Sequence, residues 1–463
     1  MSTPFDAIVI GSGQAGPFLA GRLAQAGMKT ALVEREHLGG TCVNDGCIPT
    51  KTLIASARAA HVARRAAQYG VHIGGPVSVD MAAVKARKDR VVGQSIDGLE
   101  KWLHGIEKLQ LVWGHARFVG PHAVEVASES GTQVLEAPKI FINVGGRAVL
   151  PDWPGIGDVK VLTNTSMMGV DELPEHLIVV GGSYIGLEFA QMYRRFGSRV
   201  TVIEMAPRIV AREDDEVSAT IQKMLEDEGI AFRLKAECLR LETRGNGVGI
   251  HFSCHEEPRE LEGSHVLLAV GREPNTQDLG LDKAGVKTNA RGYIEVDDEL
   301  RTSAPGIFAL GDVNGRGTFT HTAYNDYEIV AGNLLDNDRR RVSDRIPVYA
   351  LFTDPPLARV GVTEREVRES KRPALVGKMM MARVGRARER SETQGFMQVL
   401  VDEATKKILG AALLGIEADE AIHCIIDVMA AGQPYTAISR SVHIHPTVAE
   451  LIPTLLGSLK PLR

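Results

Sequence analysis

One pattern occurs twice along the chain and limits what it can fold into. Residues Phe5 to Ile10 form an apolar run of strand length, followed at once by Gly11-Ser12-Gly13-Gln14-Ala15-Gly16. An amphipathic stretch with Phe18, Leu19 and Leu23 comes next, then Thr30-Ala31-Leu32-Val33, ending in Glu34. The order returns as Leu177 to Val180, Gly181-Gly182-Ser183-Tyr184-Ile185-Gly186, a helical stretch from Leu187 to Phe196, and Val200 to Ile203, ending in Glu204. The interval from first glycine to terminal acid is the same in both. Strand, glycine turn, helix and strand in that order make a parallel βαβ unit, so an α/β chain with two Rossmann-like units is expected. The glycines allow a tight turn and close backbone approach, so that a pyrophosphate rests on the helix N-terminus. The terminal acid accepts hydrogen bonds from a ribose diol. A lone G-x-G-x-x-G is a weak motif; the complete order makes a chance turn the poorer reading.

Two nucleotide sites are therefore expected. Ser183 stands where the first unit has Gly13, so the second turn must tolerate a small side chain near the phosphates. Glu204 suits a free 2′-hydroxyl and repels a 2′-phosphate, which favours NADH over NADPH. Arg208 and Arg212 follow closely and could hold that phosphate, but solvated loop charges are the simpler reading.

The other organising stretch is Gly39-Gly40-Thr41-Cys42-Val43-Asn44-Asp45-Gly46-Cys47-Ile48-Pro49-Thr50-Lys51. An undistorted helix would hold Cys42 and Cys47 slightly too far apart for a disulfide; Gly46 and Pro49 allow a bend that closes the gap. A helix start favours thiolate over thiol, and Lys51, one turn past Cys47, brings an ammonium beside it. A structural disulfide or half a zinc site is the alternative, but a second Cys or His pair is missing, so no metal is expected and a redox-active pair is the better reading. Cys238, Cys254 and Cys424 read as packing or surface thiols, and Cys254-His255 is too isolated for a metal site.

With 463 residues the chain exceeds a single core, and about three domains are expected. A net charge of −5 gives no electrostatic reason to expect nucleic acid or an anionic membrane as partner. The early first strand leaves no room for a signal peptide, and with so few cysteines a reducing cytoplasm is expected.

Between the repeats, Ser56 to Tyr69 and Met81 to Leu103 read as helices, and Trp113 to Phe118, Ala123 to Val126 and Lys139 to Val144 as strands. Asn143-Val144-Gly145-Gly146-Arg147 leaves the first unit, and Val270-Gly271-Arg272-Glu273-Pro274-Asn275 is a matching exit from the second. Gly306 to Asp312 is a short buried strand ending on an acid; a helix cap is the plainer reading of Asp312, and a hydrogen bond to a cofactor's sugar-alcohol chain the better one here. From Arg345 onward come strands at Pro347 to Thr353, Lys378 to Val384, Gly395 to Val401 and Gly410 to Leu414, and helices at Ala418 to Ala431 and Ala437 to Ser441. The basic Arg383-to-Arg390 stretch reads as a solvated edge. His445-Pro446 with Glu450 five residues on could be an acid/base whose imidazole the carboxylate orients.

Taken together, G-x-G-x-x-G, GGTCVNDGCIPTK, the second turn, GREPN, GIFALGDV and HPTVAE, in that order over nearly the whole chain, resemble the flavoprotein disulfide reductases. That is the family of glutathione reductase, dihydrolipoamide dehydrogenase and mercuric reductase. The resemblance implies an FAD-binding domain at 1–150, an NAD(P)-binding domain at 151–271, a central domain completing the FAD site at 272–345, and an α+β dimer-interface domain at 346–463. It implies FAD held by Gly11, Gly13, Gly16, Glu34, Thr41, Lys51, Ala116, Gly311 and Asp312, and NAD(P) by Gly181, Ser183, Gly186, Glu204 and Gly271. Cys47 then faces the flavin as the charge-transfer thiol and Cys42 meets the acceptor. Lys51 pairs with Glu188, and His445, oriented by Glu450, comes from the partner of a homodimer. Phe319 to Tyr327 resembles a mercuric-reductase-like subgroup that includes a bacterial reactive-chlorine-response flavin reductase, so a disulfide or metal-ion acceptor is implied. The tail Gly457 to Arg463 lacks the cysteine pair of mercuric reductases. The alternatives are a dihydrolipoamide dehydrogenase of a 2-oxoacid dehydrogenase complex, and a redox-sensing flavoprotein with little turnover.

Overall fold

Ala7-Ile8-Val9-Ile10 sets four apolar side chains in a row, and every one is buried. A strand apolar on both faces needs cover on both, as in the interior of a parallel sheet. In the computed structural model, which describes residues 3–253 and 259–462, it pairs in parallel with Thr30–Glu34 on one side and Lys139–Ile142 on the other. Leu109–Trp113 and Ile307–Ala309 add the two edges of this five-stranded sheet, each also parallel to its neighbour. The helix Gly16–Gln25 lays Leu19, Ala20 and Leu23 on it.

The second unit repeats the construction. Its five parallel strands run in the order Val161–Leu162, His265–Leu268, His176–Val180, Arg199–Ile203, Ala231–Arg233. The helix Tyr184–Phe196 buries Leu187, Phe189, Ala190, Met192, Tyr193 and Phe196. The two exits predicted from sequence lie side by side: Gly146–Ala148 pairs antiparallel with Arg272–Pro274. Asn275 donates from Nδ2 to the Val144 carbonyl at 2.9 Å, and Arg272 bonds the Gly146 carbonyl. The second unit is thus inserted into the first through a two-stranded neck, and residues 307–309 return to finish the first sheet.

A six-stranded antiparallel sheet follows, ordered Val348–Leu351, Leu357–Gly361, Ile408–Leu414, Phe396–Asp402, Ala374–Met380, Lys460–Pro461. The architecture is α/β, two Rossmann-like units with an α+β C-terminal domain. Local boundaries differ from the sequence reading. The helix expected from Ser56 begins at Cys47 and stops at Arg64. The strand expected at Lys378 to Val384 is Ala374–Met380, and Met381–Arg383 is a 3-10 turn. The helix over Ala418 to Ala431 breaks at Ile422 into Ala418–Ala421 and His423–Ala430.

One apolar cluster ties the parts together. Leu53 and Ala57, from the helix that starts at Cys47, pack in the same core as Leu187 and Phe189 of the second unit and Leu351, Phe396 and Leu414 of the C-terminal sheet. Among the described residues no helix is long and apolar enough to cross a membrane. Cys254-His255 lies outside the described residues, as does the side chain of Cys238.

Candidate active site

Gly11 takes φ +96°, and a Cβ there would sit 2.5 Å from the Asn143 carbonyl oxygen. At Gly16 a Cβ would lie 2.1 Å from the Gly11 carbonyl oxygen. Asn143, which sequence reasoning passed over, locks this turn by donating from Nδ2 to the carbonyls of Gly11 and Gly13 at 3.1 and 3.2 Å. Glu34 ends the second strand and is only 8% exposed. Its carboxylate accepts from the Ser12 amide and hydroxyl at 2.9 and 2.6 Å, and from the amides of Arg35 and Glu36 at 2.8 and 2.9 Å.

This turn opens on a cavity of about 1120 Å³. Gly11, Gly13, Glu34, Thr41, Cys42, Cys47, Lys51, Ala116, Glu188, Gly311 and Asp312 all line it, which gathers most of the expected FAD residues around the cysteine pair. Asp312 stands past the end of the Ile307–Ala309 strand, in a 3-10 turn. Burial holds its carboxyl above the ordinary range, against the pull of Arg272. A glycine cradle with no room for Cβ atoms, an acid at each end and a cavity of this volume fit a dinucleotide with a planar ring system.

Cys42 and Cys47 are free thiols. They are not on one bent helix as expected. Cys42 belongs to the short helix Gly40–Asn44, and Cys47 is the first residue of Cys47–Arg64. Gly46 separates the two, and a Cβ on it would lie 2.7 Å from the Thr41 carbonyl oxygen. The Cys47 thiol is pulled down to about 6, first by a hydrogen bond from Cys42, then, against the opposing effect of burial, by Thr320 and the Lys51 charge. The Cys42 thiol is pushed up, because it keeps the shared proton and is itself buried. The pair therefore divides into a thiolate at 47 and a thiol at 42 near neutral pH.

Lys51 Nζ meets both Glu188 oxygens, at 2.8 and 3.1 Å, and lies 4.8 Å over the Phe352 ring. The Phe352 amide also donates to Glu188, at 3.0 Å. The expected Lys51–Glu188 pair is present and joins the dithiol helix to the second unit. Cys47 Sγ is 3.1 Å from Thr320 Oγ1, a neighbour 273 residues away that the sequence did not disclose. His321 also lines the cavity, its Nε2 2.7 Å from the Val348 carbonyl oxygen, and burial lowers its pKa.

Behind Tyr184 lies a buried ion pair. Glu213 accepts from Arg359 at 2.7 Å, and these side chains are 0% and 2% exposed. Tyr184 and Tyr349 both donate to the same Glu213 oxygen, at 2.9 and 2.7 Å. The ring of Phe319 stacks on Tyr349 and meets Tyr184 edge-on, so the wall of the cavity on the side of the second unit is aromatic and hydrogen-bonded.

The glycines of the second turn, with Ser183 and Glu204, lie outside this cavity, while Tyr184 and Ile185 of the same turn line it. Gly181 has φ +116° with a Cβ position 2.3 Å from the Ala269 carbonyl oxygen, and at Gly186 the Cβ would be 1.9 Å from the Gly181 carbonyl oxygen. Ser183 is extended, with φ −109° and ψ −170°, and exposed, so nothing in the backbone requires glycine there. Glu204 accepts from the amides of Gly182 and Ala206, both at 2.7 Å. Gly271 stands at the neck, with φ +138°. Arg208 turns into its own loop, pairing with Asp215 and donating to the Ala211 and Glu213 carbonyls at 3.0 and 3.3 Å. Arg212 is exposed.

His445 Nδ1 lies 2.9 Å from Glu450, as the sequence suggested. The pair is absent from the wall of the dithiol cavity, and the imidazole side chain is 80% exposed. Elsewhere Glu242, His251 and Glu260 bring ligand-type atoms within 4.8 Å of one another. Arg244 already bonds both carboxylates, supplying the positive charge a cation would bring.

Two nucleotide turns on parallel sheets, one sharing a cavity with a free dithiol, define a nucleotide-dependent dithiol/disulfide oxidoreductase. The chain belongs to the pyridine nucleotide-disulphide oxidoreductase family, whose model matches residues 5–326, with the family's dimerisation domain at 348–456. It is 37% identical over 460 residues to the probable pyridine nucleotide-disulfide oxidoreductase RclA of Escherichia coli, covering 98% of this chain and 99% of that one. Mercuric reductase of Streptomyces lividans is 35% identical, covering 97% and 95%. Dihydrolipoyl dehydrogenase of Chlamydia trachomatis is 33% identical, covering 97% and 96%. The solved Cu(II) complex of E. coli RclA, an HOCl-induced flavoprotein disulfide reductase, superimposes with a TM-score of 0.90 at 36% identity, over 98% of this chain and 99% of that one. The chain is thus an enzyme of an FAD-dependent family that uses pyridine nucleotides. Its dimerisation domain points to a homodimer.

Proposed function

We propose that the chain passes electrons from NADH, through FAD and the Cys42–Cys47 pair, to a disulfide or a metal ion. One observation carries this reading: the free dithiol opens on the same cavity as the first glycine turn and Glu188 of the second unit's helix. Gly11, Gly13, Gly16, Glu34, Thr41, Ala116, Gly311 and Asp312 hold the FAD, and Gly181, Ser183, Gly186, Glu204 and Gly271 the nicotinamide nucleotide. Bound FAD supplies a two-electron relay between reduced nicotinamide and the disulfide. Glu204 and an Arg208 turned into its own loop favour NADH.

Two electrons and one proton entering the Cys42–Cys47 bond leave a thiol at 42 and a thiolate at 47. His445 of the partner subunit removes the Cys42 proton, its imidazole oriented by Glu450. Cys42 then attacks an acceptor disulfide; one thiol leaves with that proton, and Cys47 displaces the second by closing the bond with Cys42. A metal-ion acceptor takes the same two electrons as the bond re-forms, two Cu(II) each taking one or a single Hg(II) taking both, and the thiol proton is released. The Cu(II) complex of the RclA relative favours the metal arm. The dihydrolipoyl dehydrogenase relatives favour lipoamide as the second reading, to be tested beside it. Free thiols suit the reducing cytoplasm as its compartment.

The test is a panel of Cu(II), Hg(II), glutathione disulfide and lipoamide with NADH and with NADPH. NADH is expected to support reduction of Cu(II) or a disulfide, and Cys42→Ser or Cys47→Ser to lower it at least about a hundredfold. Fast turnover of lipoamide alone moves the chain to the second reading. Undiminished reduction of every acceptor by both serine variants overturns the proposal.

A further inference from the structure

We propose that Thr320 is a catalytic residue lying outside the dithiol motif: its hydroxyl donates a hydrogen bond to the Cys47 sulfur and holds that sulfur as the anionic member of the reduced pair. The proposal rests on the dithiol reading above and gives a role to a residue of the Phe319 to Tyr327 stretch that the sequence reading left without one.

The contact itself is Oγ1 to Sγ at 3.1 Å. Threonines inside helices commonly spend their hydroxyl on the carbonyl one turn back, as Thr52 does on Ile48 at 2.8 Å and Thr220 on Glu216 at 2.7 Å. Thr320 is the first residue of the sixteen-residue helix Thr320–Leu335 and has no turn behind it. Its hydroxyl serves the dithiol: it lies 3.1 Å from Cys47 Sγ and also within hydrogen-bond reach of Cys42, so the proton is available to sulfur.

The surroundings favour an anion at that point. Cys47 opens the eighteen-residue helix Cys47–Arg64, and Thr320 opens its own, so the positive ends of two long helices meet at one sulfur. The nearby cation contributes less than its position suggests, because Lys51 is matched by both oxygens of Glu188 at 2.8 and 3.1 Å. With that charge paired, the hydroxyl stands beside the Cys42 thiol as a direct donor to the thiolate. A hydrogen bond to the charged form favours that form.

The redox step balances without further reactants. Two electrons from reduced nicotinamide break the Cys42–Cys47 bond; Cys42 takes one proton from solvent through its acid/base, and Cys47 keeps the negative charge against Thr320. Re-formation of the bond returns the electron pair to the acceptor and releases the proton.

The experiment uses FAD-loaded protein carrying Cys42→Ser, in which Cys47 is the remaining thiol of the pair. Iodoacetamide alkylation of Cys47 is followed by mass spectrometry from about pH 5 to about pH 9. The rate rises with pH as the thiolate forms and levels off above the midpoint. Thr320→Val is expected to move the midpoint up by about one pH unit, slowing alkylation below it about tenfold. Thr320→Ser is expected to restore the original midpoint. An unchanged midpoint in the valine variant, or a serine variant that keeps the valine midpoint, overturns the proposal. Should valine prevent folding, judged by circular dichroism, Thr320→Ala replaces it with the same two outcomes. Failure of the dithiol reading would show elsewhere, as acceptor reduction that survives both cysteine replacements.

Discussion

The two glycine turns share spacing, handedness and a terminal acid, yet the molecule treats them differently. The first is closed in: Glu34 accepts four hydrogen bonds, Asn143 locks the turn from beneath, and the whole opens on the dithiol cavity. The second is open: Glu204 accepts two, Ser183 is exposed, and the glycines stand outside the cavity, which the turn meets through Tyr184 and Ile185. A closed cradle suits a group that stays for many turnovers, and an open one suits a nucleotide that must leave after each. The motif defines a kind of ligand, and the neighbours set how long it remains.

The largest effect that could break this contrast comes from the third glycine of each turn. A Cβ meets a backbone oxygen at 2.1 Å at Gly16 and at 1.9 Å at Gly186. Gly16→Ala is expected to yield colourless protein with activity at least about a thousandfold down. Gly186→Ala is expected to keep its flavin and raise the KM for NADH at least about tenfold. Visible absorbance and steady-state rates decide, and loss of colour in both variants removes the distinction.

The acids sharpen it further. Glu34→Ala strands the two buried Ser12 donors and two half-buried amides, and is expected to cost about 2–4 kcal/mol in urea denaturation. Glu204→Ala leaves two donors near solvent, costs about 1 kcal/mol or less, and lowers the preference for NADH over NADPH about tenfold. Equal losses of stability would make the two acids equivalent. The smallest effect belongs to Ser183→Gly. Because that residue is already extended at φ −109°, the change is expected to shift the KM for NADH by less than about twofold.

Local order made much of this legible from sequence. Both turns, their acids, the Cys42–Cys47 pair and His445 with Glu450 lie within short stretches whose chemistry is written in residue spacing. Asp312 was legible as the acid ending a short buried strand, Glu188 came through resemblance to a family, and both line the dithiol cavity. What escaped depends on distant approach. Thr320 reaches Cys47 across 273 residues, Asn143 reaches back to the first turn, and the buried Glu213–Arg359 pair reads in sequence as two ordinary surface charges. Strands Glu237–Arg244 and Gly247–Ser253 escaped because charged residues and glycines hide their alternation. Leu357–Gly361 is internal to the C-terminal sheet, yet Arg359 interrupts its apolar run.

The return of Ile307–Ala309 to the edge of the first sheet bears on how the chain is made. Every strand of the inserted unit leaves the ribosome before the first sheet has its last strand or the cavity has Asp312. The inserted unit can therefore finish folding during translation, while its host waits, with a gap at one edge, for a segment about three hundred residues downstream of its first strand. Loading with the prosthetic group becomes a late event in biosynthesis, and truncated products ending before residue 307 would carry a folded insert inside an incomplete host.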